Sequence, residues 1–479
     1  MDRQVVKAVE AVNQGRVREG EEILERALDR CPDHLGVLRE LAGLRFRQTR
    51  WVDAEALALR AASRAPDAEW PWDVAGSSRY LAQDRTGALK MWNHIGRPRV
   101  RNVELRWADT QRTAPSRHLG LTPGDVLTPG HLARAERRLM LTPAVTRARV
   151  DYRPLPGGGA QVDGHLLAGP RHPLVRSEWP GHLARALTRS FSLVGMAPGG
   201  AAVQVRAAGH YGGWGQEVRT GVQHSLPLSH GAVDWSISWA ATELPLADTV
   251  GRWERTSAAV GLRRWETSTV QTHLQFGADR WDREDPMIRA GGGLLVAGRG
   301  DSPTWIGAAA QGWRDAQGDR HFGRVSVATQ GAWGQQWQLE VRSGADFLSS
   351  QAPVHLGPRF GADPSVDHLL RSRQVVRLSE SPGGGRWIHG GAELRRWWSA
   401  GTTLHLGFGI FGEGVTGAVR GGALGAGVRL RPRGSGSWIR ADWASDPSTG
   451  GHRFSLGMAS TCGLGRHLPF SLPPCTVTP

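Results

Sequence analysis

A multidomain chain is predicted: α-helical repeats, a small α+β domain, and a C-terminal transmembrane antiparallel β-barrel of about 14–16 strands. Small and apolar residues recur at a fixed spacing through the first part of the chain. From Pro98 the apolar period changes, and strand and helix patterns mix. From Ala201 onward, short segments alternate apolar residues with small or charged ones. Side chains on a strand point to alternate faces, so each such segment has one apolar face and one small or charged face. A soluble sandwich and a membrane barrel both read this way.

Composition bounds the choice. With 479 residues the chain is long enough for two or three domains. Glycine (64) and tryptophan (21) are abundant, and tyrosine (3) is scarce. No apolar run of about 18 residues occurs, which excludes a membrane-spanning helix but not a barrel, whose strands are short and half apolar. The net charge of +15 is carried almost wholly by arginine, Lys7 and Lys90 being the lysines. These arginines are spread along the chain without a basic block, which argues against a nucleic-acid partner. A basic surface also suits anionic lipid head groups. Cys31 fits a helical packing position, while Cys462 and Cys475 flank the tail and can pair in an oxidising compartment. Met1-Asp2-Arg3 leads straight into an amphipathic helix with no legible secretory signal, in conflict with export.

The helical region spans 1–96. Ala8, Gly20, Leu24, Ala27 and Pro32 recur as Ala42, Ala54, Ala58, Ala61 and Pro66, and a third copy carries Trp72, Gly76, Ala88 and Trp92. Small residues let antiparallel helices approach, and proline stops each pair. The period of about 34 residues resembles the tetratricopeptide repeat. That resemblance implies a short superhelix, serving either as a docking surface for a peptide or protein partner or as a spacer.

The second unit spans 97–170. Val103, Leu105 and Trp107 alternate with Glu104 and Arg106, as a strand does. A short helix is expected over Ala114–Leu119. Thr128 is a candidate N-cap with Pro129 in the first turn, and Leu132, Ala135 and Leu139 stripe the helix that follows. Ala148, Val150 and Tyr152 alternate before the turn Pro154–Gly159, and Ala160, Val162 and Leu166 return. The order strand, helix, helix, strand, strand resembles a POTRA domain, the periplasmic module placed before outer-membrane assembly barrels. The resemblance implies that unfolded clients are received by strand addition at a sheet edge.

A linker, helical over Leu183–Leu193, is expected across 171–200, then the barrel over 201–462 and a tail over 463–479. Strands are expected at Ala201–His210, Trp214–Leu226, Val233–Ala241, Thr256–Trp265, Thr267–Gly277, Met287–Gly298, Trp305–Trp313, Phe322–Trp333 and Gln335–Ala345, with five more after Arg386. Tryptophans at their ends (Trp214, Trp265, Trp305, Trp313, Trp333) match an interfacial aromatic girdle. Were the apolar face inward, Arg395, Arg429, Arg431 and Arg440 would face lipid, each costing about 2–4 kcal/mol at the bilayer midplane. In a membrane barrel, therefore, Leu424 and Phe454 face lipid and the arginines face the lumen.

The stretch from Phe360 to Met458 resembles the superfamily of BamA-like insertases, TamA-like factors and two-partner secretion transporters. It rests on Leu370-Arg371-Ser372-Arg373, Gly391-Ala392-Glu393-Leu394-Arg395, Phe408–Gly414 with Glu413, and Ile439-Arg440-Ala441-Asp442. The resemblance implies a loop folded into the lumen whose arginine meets acids on the following strands. Arg371, with Arg373 as its rival, then locks onto Glu393, Glu413 or Asp442, a structural role rather than a catalytic one. Ser372 and Arg373 replace the family's glycine and aromatic residue. No H-E-x-x-H, C-x-x-C or phosphate-loop pattern occurs, so neither an enzyme nor a cofactor is expected. The implied function is protein insertion into, or translocation across, an outer membrane, with the N-terminal domains in the periplasm. The implied partners are an unfolded outer-membrane or secreted client and outer-membrane lipid. An exopolysaccharide export pore and a barrel-anchored interaction scaffold are the alternatives.

Overall fold

The computed structural model describes residues 1–107, 110–113, 119–141, 145–168, 190–196, 203–210, 217–228, 231–245, 250–282, 285–298, 304–334, 336–352, 356, 384–401, 404–417, 420–432 and 437–460. The chain opens with α1 (Asp2–Asn13), α2 (Val17–Arg30), α3 (Leu35–Arg47), α4 (Trp51–Arg64), α5 (Glu69–Leu81) and α6 (Arg85–Asn93). The repeated alanines Ala8, Ala42, Ala54, Ala58, Ala61 and Ala88 are fully buried, so backbones rather than long side chains meet at the helix contacts. Gly15, Thr49 and Gln83 occupy equivalent turns within the three helix pairs, with φ of 80°, 61° and 68°. Two of these three left-handed positions thus carry side chains that disfavour them, and the turn is held by the packing around it.

Helix α6 does not end in solvent. Ala88, Leu89 and Trp92 share one core with Val100, Leu105, Leu139, Tyr152 and Val162 of the next unit. The Tyr152 hydroxyl donates to the Arg85 carbonyl at 2.8 Å, and Arg85 pairs with Asp151. The Asn93 amide donates to the carbonyls of Arg97 and Leu127, both at 2.9 Å. That unit contains β1 (Arg99–Trp107), β2 (Thr110–Thr113), α7 (Pro129–Leu139), β3 (Val145–Leu155) and β4 (Gly159–Ala168). Its sheet runs β2-β1-β4-β3, with β1 parallel to β4. The Thr128 hydroxyl caps α7 by accepting from the His131 amide at 3.1 Å. Strand β2 is too short to show as alternation in the sequence. Of the helix expected over Ala114–Leu119, only Leu119 lies among the described residues.

The large sheet comprises β5 (Ser190–Met196), β6 (Val203–His210), β7 (Glu217–Leu228), β8 (Gly231–Pro245), β9 (Val250–Trp265), β10 (Val270–Trp281), β11 (Met287–Ala297) and β12 (Trp305–Asp315). It continues with β13 (His321–Trp333), β14 (Trp337–Leu348), β15 (Gly385–Ala400), β16 (Leu404–Gly417), β17 (Gly421–Pro432), β18 (Ser437–Ser445) and β19 (His452–Ser460). Among the described residues it has 15 strands, each antiparallel to its sequence neighbours. Residues 190–193 of the helix expected over Leu183–Leu193 are instead part of strand β5, which pairs with β6 from Ser190↔His210 to Met196↔Gln204, while 183–189 lie outside the described residues. The alternating Ser-Phe-Ser-Leu of 190–193 has the period of a strand, and the strands therefore begin inside the segment expected to be linker.

The two faces of this sheet separate a sandwich from a membrane barrel. Leu424 is 56 % exposed and Phe454 68 %, while Arg429 and Asp442 are 0 % exposed. A soluble sandwich buries its apolar face; here the apolar face is outside and the charged face is enclosed. Leaving such outer side chains in water forfeits about 1.5–3 kcal/mol each, which a lipid environment restores. The interfacial girdle expected of the strand-end tryptophans does not include Trp265, Trp305 and Trp313, whereas Trp333 is exposed. Trp265, Trp305 and Trp313 are buried on the inner face, because they share parity with the lumen residues. The exposed outer tryptophans include Trp333, Trp337, Trp398 and Trp443. Trp214 lies outside the described residues.

Candidate functional site: a paired-charge lumen and its mouth

Strands β14 to β18 send most of their charged residues inward at every second position. Strict register sets like charges side by side: Glu340 lies opposite Glu393, and Arg429 opposite Arg440. Direct like-charge pairs destabilise a sheet, so the diagonal neighbours decide its stability. Arg395 pairs with Glu340 and lies 3.2 Å from Glu393. The Arg429 Nε donates to Glu393 Oε1 at 3.0 Å, and its Nη1 donates to Asp442. Arg440 Nη1 completes the row with Asp442 Oδ2 at 3.1 Å. A continuous chain of alternating sign results, Glu340–Arg395–Glu393–Arg429–Asp442–Arg440, across β14, β15, β17 and β18. Gly409 makes room in the intervening strand β16: a Cβ there would stand 2.8 Å from Glu393 Oε1.

Further groups extend the pattern. Arg342 Nη2 donates to Glu413 Oε1 at 3.2 Å. Asp346 accepts from Arg324 at 2.8 Å and from the Ser326 hydroxyl at 2.6 Å, with His389 Nε2 3.3 Å away. On β9 to β12 of the same sheet Asp279 pairs with Arg255 (2.8 Å) and Arg289 (3.2 Å) and accepts from the Trp313 indole at 2.6 Å. Aromatic layers bound this belt. Trp281, Trp313, Phe322 and Trp387 cluster at one end of the strands. At the other end Trp397 and Trp438 pack together, with Arg431 over Trp397 (4.5 Å) and Arg395 over Trp438 (4.6 Å). Enclosed charges need such partners, and removing one partner strands the other at about 3–5 kcal/mol.

Glu393 and Asp442 meet through Arg429, and Glu413 sits on the same inner face with Arg342. Arg371 and Arg373 lie outside the described residues, as do Cys462 and Cys475. Among the described residues no group of three His, Cys, Asp or Glu side chains is placed to hold a metal ion. Sequence reasoning put Arg395, Arg429 and Arg440 inside but missed the acids Glu340 and Asp346; their even parity with Arg342 along β14 was the available signal.

Helix α7 meets the mouth of this lumen. Arg134 Nη1 donates to the Glu266 carbonyl at 3.1 Å, and Arg137 Nη2 to the Gly298 carbonyl at 3.0 Å. The Arg137 guanidinium lies 4.7 Å from the Trp265 ring centre. From the barrel side, Arg263 reaches the Leu141 carbonyl at 3.5 Å, and Leu141 packs in a cluster with Trp265, Leu295 and Trp305. Glu266 and Gly298 belong to the β9–β10 and β11–β12 turns, so one helix spans two hairpins at the same rim. Arg138 turns back to the carbonyls of Leu119 and Gly120, at 3.3 Å each, and burial draws its pKa down to about 10. Burial lowers Arg137 as well. In the contacts of Arg134 and Arg137 with the rim, carbonyl dipoles and an indole face receive the cations.

Fold and lumen together define a membrane-type β-barrel that carries N-terminal helical and α+β domains. No family model matches the chain, and no curated protein matches it. Among solved structures it is similar to CdiB from Escherichia coli, at 13% identity over 76% of either chain with a TM-score of 0.48. CdiB from Acinetobacter baumannii shares 10% identity over 81% of either chain, with a TM-score of 0.47. BamA from Haemophilus ducreyi lacking POTRA domains 1-3 shares 11% identity over 75% of this chain and 84% of that one, with a TM-score of 0.42.

Proposed function

We propose that this chain sits in an outer membrane and inserts proteins into it or moves them across it. The observation that carries the reading is the seating of α7 across two hairpins at the lumen mouth, with α6 sharing its core. A soluble arm built into the mouth of a barrel is suited to hand an extended chain to it. In this reading 1–96 are tetratricopeptide-type repeats that dock a partner, and 97–170 are a POTRA-type domain, both in the periplasm. Strand β3 forms one edge of the small sheet, and its outward backbone groups suit strand addition by an unfolded client. In this reading the mechanism is passive, with no nucleotide consumed by this chain.

Glu393, Glu413 and Asp442 are the seat we propose for Arg371, carried on the β14–β15 connection. That connection leaves the barrel at the end away from α7, and an arginine folded back from it would share acids already held by strand arginines. The experiment is reconstitution into proteoliposomes, with an unfolded outer-membrane client added outside and its protease-resistant form measured. The protein is expected to raise client yield above empty vesicles, and R134A/R137A to lower it while the barrel stays folded. A yield equal to that of empty vesicles would contradict the function. Substituting R371A tests the lock: unchanged client yield and unchanged barrel melting would remove Arg371 from it.

A further inference from the structure

We infer that the outer rim of β14 and β15, at the end facing α7, binds the phosphodiester headgroup of a glycerophospholipid through Arg396. The inference rests on the membrane reading above and adds a lipid site to it. Trp337 opens β14 and lies directly opposite Arg396 on β15. The Arg396 guanidinium carbon is 5.2 Å from the Trp337 ring centre and 5.2 Å from that of Trp398, so it is flanked by two indoles. Arg396 is exposed, and so are Trp337 at 55 % and Trp398 at 43 %. Their parity is that of Leu394, Leu339 and Val341, exposed apolar residues that run from this point toward the middle of the strands.

A cation on that face needs a reason. Near the bilayer centre an outward arginine costs about 2–4 kcal/mol, whereas at the interface the cost falls to about 0–1 kcal/mol. Arg396 stands beside the first residue of β14, next to the turn after Trp333, which places it at the interface. Other arginines of this sheet have carboxylates: Arg264, six strands away at the same end, is 3.1 Å from Glu266, and the adjoining Arg395 pairs inward with Glu340. Among the described residues no carboxylate pairs with Arg396. Stacking against indoles stabilises a guanidinium through its faces and leaves the in-plane N–H donors free to take two phosphate oxygens. The apolar strip beside it identifies the occupant as an amphiphile: the phosphate meets Arg396, and the acyl chains lie along Leu394, Leu339 and Val341. Free phosphate would use only the cation.

Native mass spectrometry of the full chain, purified in mild detergent and offered phosphatidylglycerol, tests the site. Wild type is expected to retain the lipid, and R396Q to bind it roughly tenfold more weakly, as loss of a charge-assisted contact implies. Substitution R396K, which keeps the charge but not the planar fork, is expected to fall between them. Equal retention by wild type and R396Q would overturn the site. So would equal retention of a phosphate-free diacylglycerol, or displacement of the lipid by inorganic phosphate. A heat-modifiable gel shift, run on each sample, separates the two levels. A wild type that lacks the shift would overturn the membrane reading, and a shifted wild type without lipid would overturn the site alone.

Discussion

Arg395 and Arg396 are consecutive in β15, yet their surroundings are opposite. Arg395 is almost wholly buried, pairs with two glutamates and stacks on Trp438; Arg396 is exposed between two indoles with apolar residues around it. The contrast extends along β14 to β18. On the inner face nearly every charge has an opposite partner at bonding distance, because enclosed ions are tolerated only in pairs. On the outer face, Arg396 and Arg386 apart, the residues are largely apolar, and among the described residues no ion-pair network links them. Stability therefore resides inside as a connected network and outside as a sum of independent transfers to lipid.

The sharpest way to break the comparison is to open the inner network. Asp442 joins Arg429 to Arg440, so D442A leaves two enclosed cations short of a carboxylate. It is expected to cost about 3–5 kcal/mol or to prevent assembly, read as loss of the heat-modifiable band or a fall in the urea midpoint. Wild-type stability would show that the charges lie in water.

Outside, a single cation should act through depth. L424R is expected to cost about 2–4 kcal/mol if Leu424 faces the bilayer core. Because the outer face is uncoupled, the double substitution L424R/V428A should be additive within about 0.5 kcal/mol. An inner pair such as E393A/R429A should deviate from additivity by about 0.5–3 kcal/mol, measured by a double-mutant cycle in the same urea titration. Equal behaviour of the two faces would remove the distinction.

A smaller effect is expected where the small domain meets the rim. R137A removes a donor to the Gly298 carbonyl and a cation over Trp265, and should weaken the contact by about 1.5–3 kcal/mol. Faster proteolysis near α7, with unchanged barrel melting, checks it. At the bottom of the scale, the exposed Arg16–Glu19 pair in the helical region should contribute about 0.2–1 kcal/mol, so E19A should leave the thermal midpoint of the helical signal nearly unchanged.

Much of this was legible in the sequence, for physical reasons that also mark its limits. Alternation over Leu404–Ile410 and Leu424–Leu430 gives the face of each residue, since a strand has period two and cannot conceal its parity. Parity also placed Glu393, Glu413 and Asp442 on one face, but it cannot reveal which arginine meets which acid. That depends on register: Glu340 opposite Glu393 is a consequence of the β14–β15 alignment, which one sequence does not contain. Trp265, Trp305 and Trp313 stand at strand ends, as girdle residues do, but their parity is that of the inner face. The α7 contacts were hidden because arginine-to-carbonyl bonds leave no complementary acidic residue to find.

The measurement closest to the central claim is collision accessibility of spin labels along β17 and β19 in the reconstituted membrane. Labels at Leu424, Val428 and Phe454 are expected to collide with oxygen, which partitions into lipid, and to be shielded from a water-soluble nickel chelate. Nickel collisions dominating at these three positions would contradict a lipid-facing apolar surface, and with it the enclosed, paired-charge lumen.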